Sequence, residues 1–184
     1  QMLDKVKKIK QNKNKSKIVC LTAYSKNIAE EVDKFTDLIL VGDSLGSVLY
    51  NYNSTRQVTL EKMIEHSKSV RLGISKSLMI VDMPYNTYRN KAEALKNAKK
   101  IIKNSKADAV KLEGGEKILK IIKHLRKNKI NVMGHLGILP QSHKGKFRYK
   151  GKTVSERKKL VTDARLLQRS GVFPIVLELS LIHI

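Results

Sequence analysis

The sequence predicts an α/β protein whose strands run parallel, as a sheet or a (β/α) barrel, and three observations carry that prediction. First, five short apolar runs each end on an acid or a histidine: residues 38–43 on Asp43, 78–82 on Asp82, 109–113 on Glu113, 131–135 on His135 and 174–178 on Glu178. Buried strands with a polar residue at the carboxyl end are the signature of an active site at that edge of a parallel sheet. Second, each of the first four runs is followed by a loop and then by a segment of helical period. Third, the 184 residues fall short of the roughly 250 that eight strand–helix units need, so an incomplete barrel is expected.

The elements follow in order. Residues 2–10 read as a short helix with Val6 and Ile9 inward, and a polar, lysine-rich 11–17 leads into a first strand over 18–24. A helix over 26–35 is expected, capped by Ser25, with Ile28, Ala29, Val32 and Phe35 on one face. After the second strand comes a loop over 45–58, then a helix opened by Thr59 with Leu60, Met63, Ile64 and Val70 inward. The third strand ends at Asp82, and its helix starts near Asn90, where Glu93 completes a capping-box pattern ahead of the stripe Ala94, Leu95, Ala98, Ile101, Ile102. The fourth strand passes through Gly114 and Gly115 to a helix carrying Ile118, Leu119, Ile121, Ile122 and Leu125. A basic loop over 137–154 follows the fifth strand, then a helix from Ser155 with Leu160, Val161, Ala164 and Leu167, ending at Gly171. The sixth strand spans 173–179. Six strands and five intervening helices in strict alternation make a single incomplete barrel domain over 1–179, with 180–184 read as a non-native tail. An open doubly wound sheet is the alternative, but there is no Gly-x-Gly-x-x-Gly turn and no Walker loop.

Composition narrows the partners. The net charge is +22, yet 30 of the 38 basic residues are lysines spread along the helices, with no Trp and no nucleic-acid motif. Lys96, Lys99, Lys100, Lys103, Lys117, Lys120, Lys123 and Lys127 alternate with apolar stripes, so the charge reads as a solvated surface and not a nucleic-acid site. No apolar stretch approaches the roughly 20 residues that span a bilayer. The single Cys20 falls in a strand and is expected to be buried; one cysteine gives no disulfide, which fits the cytoplasm.

Several carboxylates at one mouth suggest a hard cation, since like charges repel and carboxylate oxygens suit magnesium. Bland readings stand beside this one. Asp43 and Asp82 could end strands in turns, Glu113 could cap a helix, Lys111 could be structural, and His135 could be a satisfied core histidine. His66, His124 and His143 read as surface residues, and His183 lies in the tail.

Residues 22–24 (Thr-Ala-Tyr), 41–46 (Val-Gly-Asp-Ser-Leu-Gly), 81–84 (Val-Asp-Met-Pro), 110–115 (Val-Lys-Leu-Glu-Gly-Gly), 134–137 (Gly-His-Leu-Gly) and 140–142 (Pro-Gln-Ser) closely resemble the ketopantoate hydroxymethyltransferase family. Residues 53–55, 58–60 and 176–178 extend the resemblance in order along nearly the whole chain. It implies a magnesium-dependent (β/α)8 TIM barrel of the phosphoenolpyruvate-mutase/isocitrate-lyase type, cytoplasmic and, at full length, a homo-oligomer (a decamer in the family). The implied reaction transfers a one-carbon unit from 5,10-methylenetetrahydrofolate to 3-methyl-2-oxobutanoate, giving ketopantoate for pantothenate and coenzyme A. By motif, Asp43 and Asp82 resemble the Mg2+ ligands and Glu113 the acid behind the metal's water shell. Asp43, Ser44, Asp82 and Lys111 resemble the ketoacid-binding set, Glu178 resembles the proton acceptor, and His135 is placed at the same mouth.

The sequence departs from the family in three places. Leu179-Ser180 follows Glu178 where the family has Cys-Val-Pro, Ser25-Lys26 replaces an acid–aromatic pair, and Gln57 replaces a proline. A C-terminally truncated product with exposed first and sixth strands is expected. Two rival functions remain: a magnesium-dependent lyase or mutase on the same barrel, which would bring a loop cysteine, and a basic RNA-associated protein, which rests on charge alone.

Overall fold

The six predicted strands form one parallel sheet in chain order. The computed structural model describes residues 2–142 and 148–180; His143, His183 and most of the expected tail lie outside them. The strands are β1 (Cys20–Thr22), β2 (Leu38–Val41), β3 (Leu78–Asp82), β4 (Ala109–Glu113), β5 (Val132–Gly137) and β6 (Ile175–Glu178), hydrogen-bonded in the order β1-β2-β3-β4-β5-β6. Helices α1 (Met2–Gln11), α2 (Lys26–Val32), α3 (Leu45–Tyr50), α4 (Leu60–Leu72), α5 (Lys91–Ser105), α6 (Leu119–Lys127) and α7 (Val154–Arg169) complete the fold. Among the described residues no helix is long and apolar enough to cross a membrane.

The period-two alternation of the strands separates two apolar layers. Ile39, Val41, Met79, Val81, Val110, Leu112 and Val132 face outward, packed with Ala29, Met63, Ile64, Ala94, Ala98, Ile101, Ile122, Leu125 and Leu167 of the helices. The other face of the strands supplies Leu38, Leu78, Ile80, Ala109 and Met133, which Val6 and Ile9 of α1 cover. Register then decides the chemistry: Asp82 stands opposite Lys111, and Glu113 opposite His135. The strand residues nearest the carboxyl edge on this inner face are thus polar.

Local sequence explains most helix starts. The Thr59 and Asn90 side chains accept hydrogen bonds from the amides of Lys62 and Glu93. Thr153 and Glu156 make a reciprocal capping box that opens α7 one residue before the expected Ser155. At α5 only half of the expected box forms, because the Glu93 carboxylate takes the Arg89 amide instead. The eight lysines read as solvated are all exposed.

Several expectations fail, each for a physical reason. β1 is three residues long and exposed, because an edge strand pairs on one side only and only 20–22 register with β2. Cys20 is accordingly exposed, not buried. α2 stops at Val32, leaving Phe35 74% exposed; Ile28, within the helix and next to the buried Ala29, is itself 52% exposed, and the Ser25 side chain makes no capping bond. The loop expected over 45–58 contains α3 and a 3-10 turn, Thr55–Gln57. His66 is half-buried, its Nδ1 2.7 Å from the Tyr24 main-chain oxygen and its Nε2 2.8 Å from the Tyr50 hydroxyl.

Candidate active site at the carboxyl rim

All seven residues singled out in the sequence meet at one rim. Lys111 Nζ, 5% exposed, lies 3.1 Å from Asp82 Oδ1 and 3.2 Å from His135 Nδ1. An ammonium can only donate, so His135 Nδ1 accepts and its proton sits on Nε2. Nε2 lies 3.2 Å from Glu178 Oε2 without full hydrogen-bond alignment. The main-chain amide of Asp43 donates to Asp82 Oδ2 at 3.0 Å. The Ser44 hydroxyl pairs with Tyr24 at 2.7 Å, and Glu113 Oε1 lies 3.6 Å from His135 Nδ1. Gly137, at φ +90, lets the end of β5 run against the Glu178 backbone, where Ile138 N donates to Glu178 O at 2.9 Å.

Sequence reasoning gave no role to Gln141, which the structure places at the centre. Its side-chain nitrogen donates to Asp43 Oδ2 at 2.7 Å, and its main-chain amide donates to Glu113 Oε2 at 3.0 Å. Arg56 and Tyr88 hold it from outside. The only sequence signal was the Pro140-Gln141-Ser142 string within the family resemblance.

Burial and charge set the protonation. Burial, and then the Asp82 charge, push the Asp43 carboxyl up to about 7. Burial pushes Glu113 up to about 8 against the pull of Lys111. Burial alone would lower the Lys111 pKa, but Asp82, Asp43 and Glu113 more than offset it and raise it, so the ammonium persists. Burial lowers the His135 pKa despite Glu178, keeping the ring neutral near pH 7. The imidazole beside Glu178 holds that carboxyl below its usual range, so it stays ionised.

Three carboxyls face one ammonium here, leaving room for added positive charge. Asp82 Oδ1 is buried with no aligned hydrogen bond, only the ammonium beside it. Among the described residues no three acids, histidines or cysteines converge closely enough to hold an ion alone. Asp43 and Asp82 offer carboxylate oxygens of the kind a hard cation takes, and water and substrate would have to complete its shell.

A family profile described as ketopantoate hydroxymethyltransferase matches residues 4–183. The chain belongs to the ketopantoate hydroxymethyltransferase family. It is 66% identical over 166 residues to the 3-methyl-2-oxobutanoate hydroxymethyltransferase of Pelagibacter ubique (strain HTCC1062), covering 90% of this chain and 64% of that protein. The enzyme of the same name from Aliarcobacter butzleri (strain RM4018) is 42% identical over 94% of this chain and 65% of its own length. The chain thus spans a little under two thirds of these relatives. Among solved structures it resembles a phosphonopyruvate hydrolase in complex with oxalate and Mg++ (TM-score 0.70, 10% identity, 95% of this chain and 62% of that one). It also resembles a 2,3-dimethylmalate lyase of the PEP mutase/isocitrate lyase superfamily (TM-score 0.65, 13% identity, 95% and 63%). These likenesses establish the fold alone: six parallel strands of an incomplete TIM barrel.

Proposed function

We propose that this family member carries the ketoacid- and metal-binding rim of an enzyme that moves a hydroxymethyl group from 5,10-methylenetetrahydrofolate to 3-methyl-2-oxobutanoate, giving ketopantoate. The observation that carries the reading is the Asp82–Lys111–His135–Glu178 series, in which neighbours at 3.1–3.2 Å differ in charge and role. The curated relatives are named 3-methyl-2-oxobutanoate hydroxymethyltransferase, a name that gives the acceptor and the group moved. Support for the metal also comes from a fold neighbour, a phosphonopyruvate hydrolase solved in complex with oxalate and Mg++.

Asp43 and Asp82 would hold Mg2+, with Glu113 behind its water; when bound, the ion supplies Lewis-acid polarisation of the ketoacid carbonyl. Lys111 is placed to balance the substrate carboxylate or the negative charge that grows on the carbonyl oxygen. Ser44, oriented by Tyr24, offers a hydroxyl to the substrate. Glu178, ionised and less buried than the rest, takes the proton from the carbon next to the carbonyl. The neutral His135 keeps Nε2–H toward Glu178 and steadies the carboxylate before transfer. The enolate carbon then bonds to the folate-borne methylene, both carbon–nitrogen bonds of that methylene break, one water supplies the hydroxyl, and tetrahydrofolate leaves carrying the proton taken by Glu178 and one from the water. The cytoplasm and, in the full-length protein, a homo-oligomer without nucleic-acid partners complete the proposal.

The test is ketopantoate formation with magnesium by this chain and by a version extended with the C-terminal third of the Pelagibacter relative. Activity in the extended form that falls at least about 10²-fold in Asp82→Ala and in Glu178→Gln supports the reading. Activity that survives both changes refutes it.

A further inference from the structure

Gln141 lies in the loop after β5, outside any helix or strand, yet it is 2% exposed and each of its polar atoms is engaged. Its side-chain nitrogen faces two groups that only accept, Asp43 Oδ2 at 2.7 Å and the Met83 main-chain oxygen at 3.0 Å. That chemistry fixes which way the amide points. Its side-chain oxygen accepts the Tyr88 hydroxyl at 2.5 Å, and its main-chain oxygen accepts Arg56 Nε at 2.7 Å. Its main-chain amide donates to Glu113 Oε2 at 3.0 Å. One loop residue therefore ties groups at the ends of β2, β3 and β4 together.

The consequence lies in which oxygens stay available. Gln141 occupies Oδ2 of Asp43 and Oε2 of Glu113, while Asp43 Oδ1 and Glu113 Oε1 have no hydrogen bond among the described residues. The amide takes one lone pair of Asp43 Oδ2 and fixes the carboxylate's orientation, leaving Oδ1 the less encumbered ligand for a cation. Magnesium favours compact octahedral ligation from single oxygens, whereas calcium accepts both oxygens of one carboxylate. The geometry points to Gln141 as the positioning residue that orients Asp43 toward one-oxygen ligation and so favours a small octahedral cation over calcium. This inference rests on the magnesium reading above.

Calorimetric titration with Mg2+ and, separately, Ca2+, each with 3-methyl-2-oxobutanoate present, tests it on the chain, Gln141→Leu and Tyr88→Phe, alongside their melting temperatures. Leucine removes the bond to Asp43 but leaves the main-chain bond to Glu113. Mg2+ affinity should fall about tenfold or more, as for other residues that orient metal ligands. Ca2+ affinity should hold or rise even though the unpaired Tyr88 hydroxyl and Met83 carbonyl lower the melting temperature. Tyr88→Phe, which only loosens the amide, should shift the preference the same way by less. An unaltered Mg2+/Ca2+ ratio in Gln141→Leu, or equal weakening of both cations with a lower melting temperature, overturns the inference and leaves the metal reading standing. Should Gln141→Leu not fold, Tyr88→Phe decides: a shifted ratio supports the inference and an unshifted one overturns it. A wild-type chain that binds no Mg2+ refutes the metal reading, and the inference with it.

Discussion

Replacing Glu113 by Gln isolates the cost of burying charge at the rim. The amide keeps the side chain's shape and an oxygen that can still accept the Gln141 amide, so the geometry is preserved while the ionisable group is lost. In the folded protein Glu113 is raised from an ordinary 4.5 to about 8, chiefly by burial. A group raised in this way favours the folded state fully below its unfolded value, and that contribution drains away as pH rises to the folded value. At about 1.4 kcal/mol per tenfold change in proton affinity, wild type loses on the order of 4 kcal/mol through this group across that window. Glu113→Gln has nothing to lose there. Urea and thermal unfolding from pH 4.5 to 9 without metal should show the two proteins converging at the acid end. Near pH 8 the variant should lead by a few kcal/mol, roughly 10 °C in melting temperature for a chain this size. Saturating Mg2+ should narrow the gap, because a cation stabilises the ionised acid. Parallel pH profiles for the two proteins would refute the reasoning.

Three further outcomes are expected. Asp33, which takes hydrogen bonds from Ser75 N, Ser75 Oγ, Lys76 N and Ser77 N, is held well below the carboxylate range; burial alone would raise it, but those bonds prevail. Its contribution is present above the ordinary carboxylate value and lost as pH falls toward the folded one. Asp33→Asn should therefore cost roughly 3 kcal/mol at pH 7 and flatten the acid limb of the stability curve, read by urea unfolding. Lys111→Met strands buried carboxylates and should cost roughly 3–5 kcal/mol at pH 8, with a smaller penalty at pH 5 where the acids are protonated, read by calorimetry. In the extended protein, Glu178→Gln should slow magnesium-dependent deuterium exchange at C3 of 3-methyl-2-oxobutanoate about 10²-fold or more while leaving Mg2+ affinity unchanged, read by proton NMR.

The strand ends were legible in the sequence because β3 and β4 are buried throughout, so an acid or lysine in an unbroken apolar run stands out. Thr59 and Asn90 were equally plain, since capping is local chemistry. α3 was missed because six residues with a glycine at the second position show no stripe. Phe35 was misplaced because α2 ends at Val32, before the helical face would reach it. Gln141 was given no role for a deeper reason: its partners Glu113, Met83 and Asp43 lie 28, 58 and 98 positions away, and no local pattern encodes contacts of that range.

A divalent ion shared by oxygens at the ends of β2 and β3 is the central claim, and crystals grown with Mn2+ and 3-methyl-2-oxobutanoate address it directly. The account predicts an anomalous peak at the rim, about 2.1 Å from oxygens of Asp43 and Asp82, with the ketoacid completing the shell and the peak lost in Asp82→Asn. A peak elsewhere on the surface, or one at the rim that persists without Asp82, would contradict it.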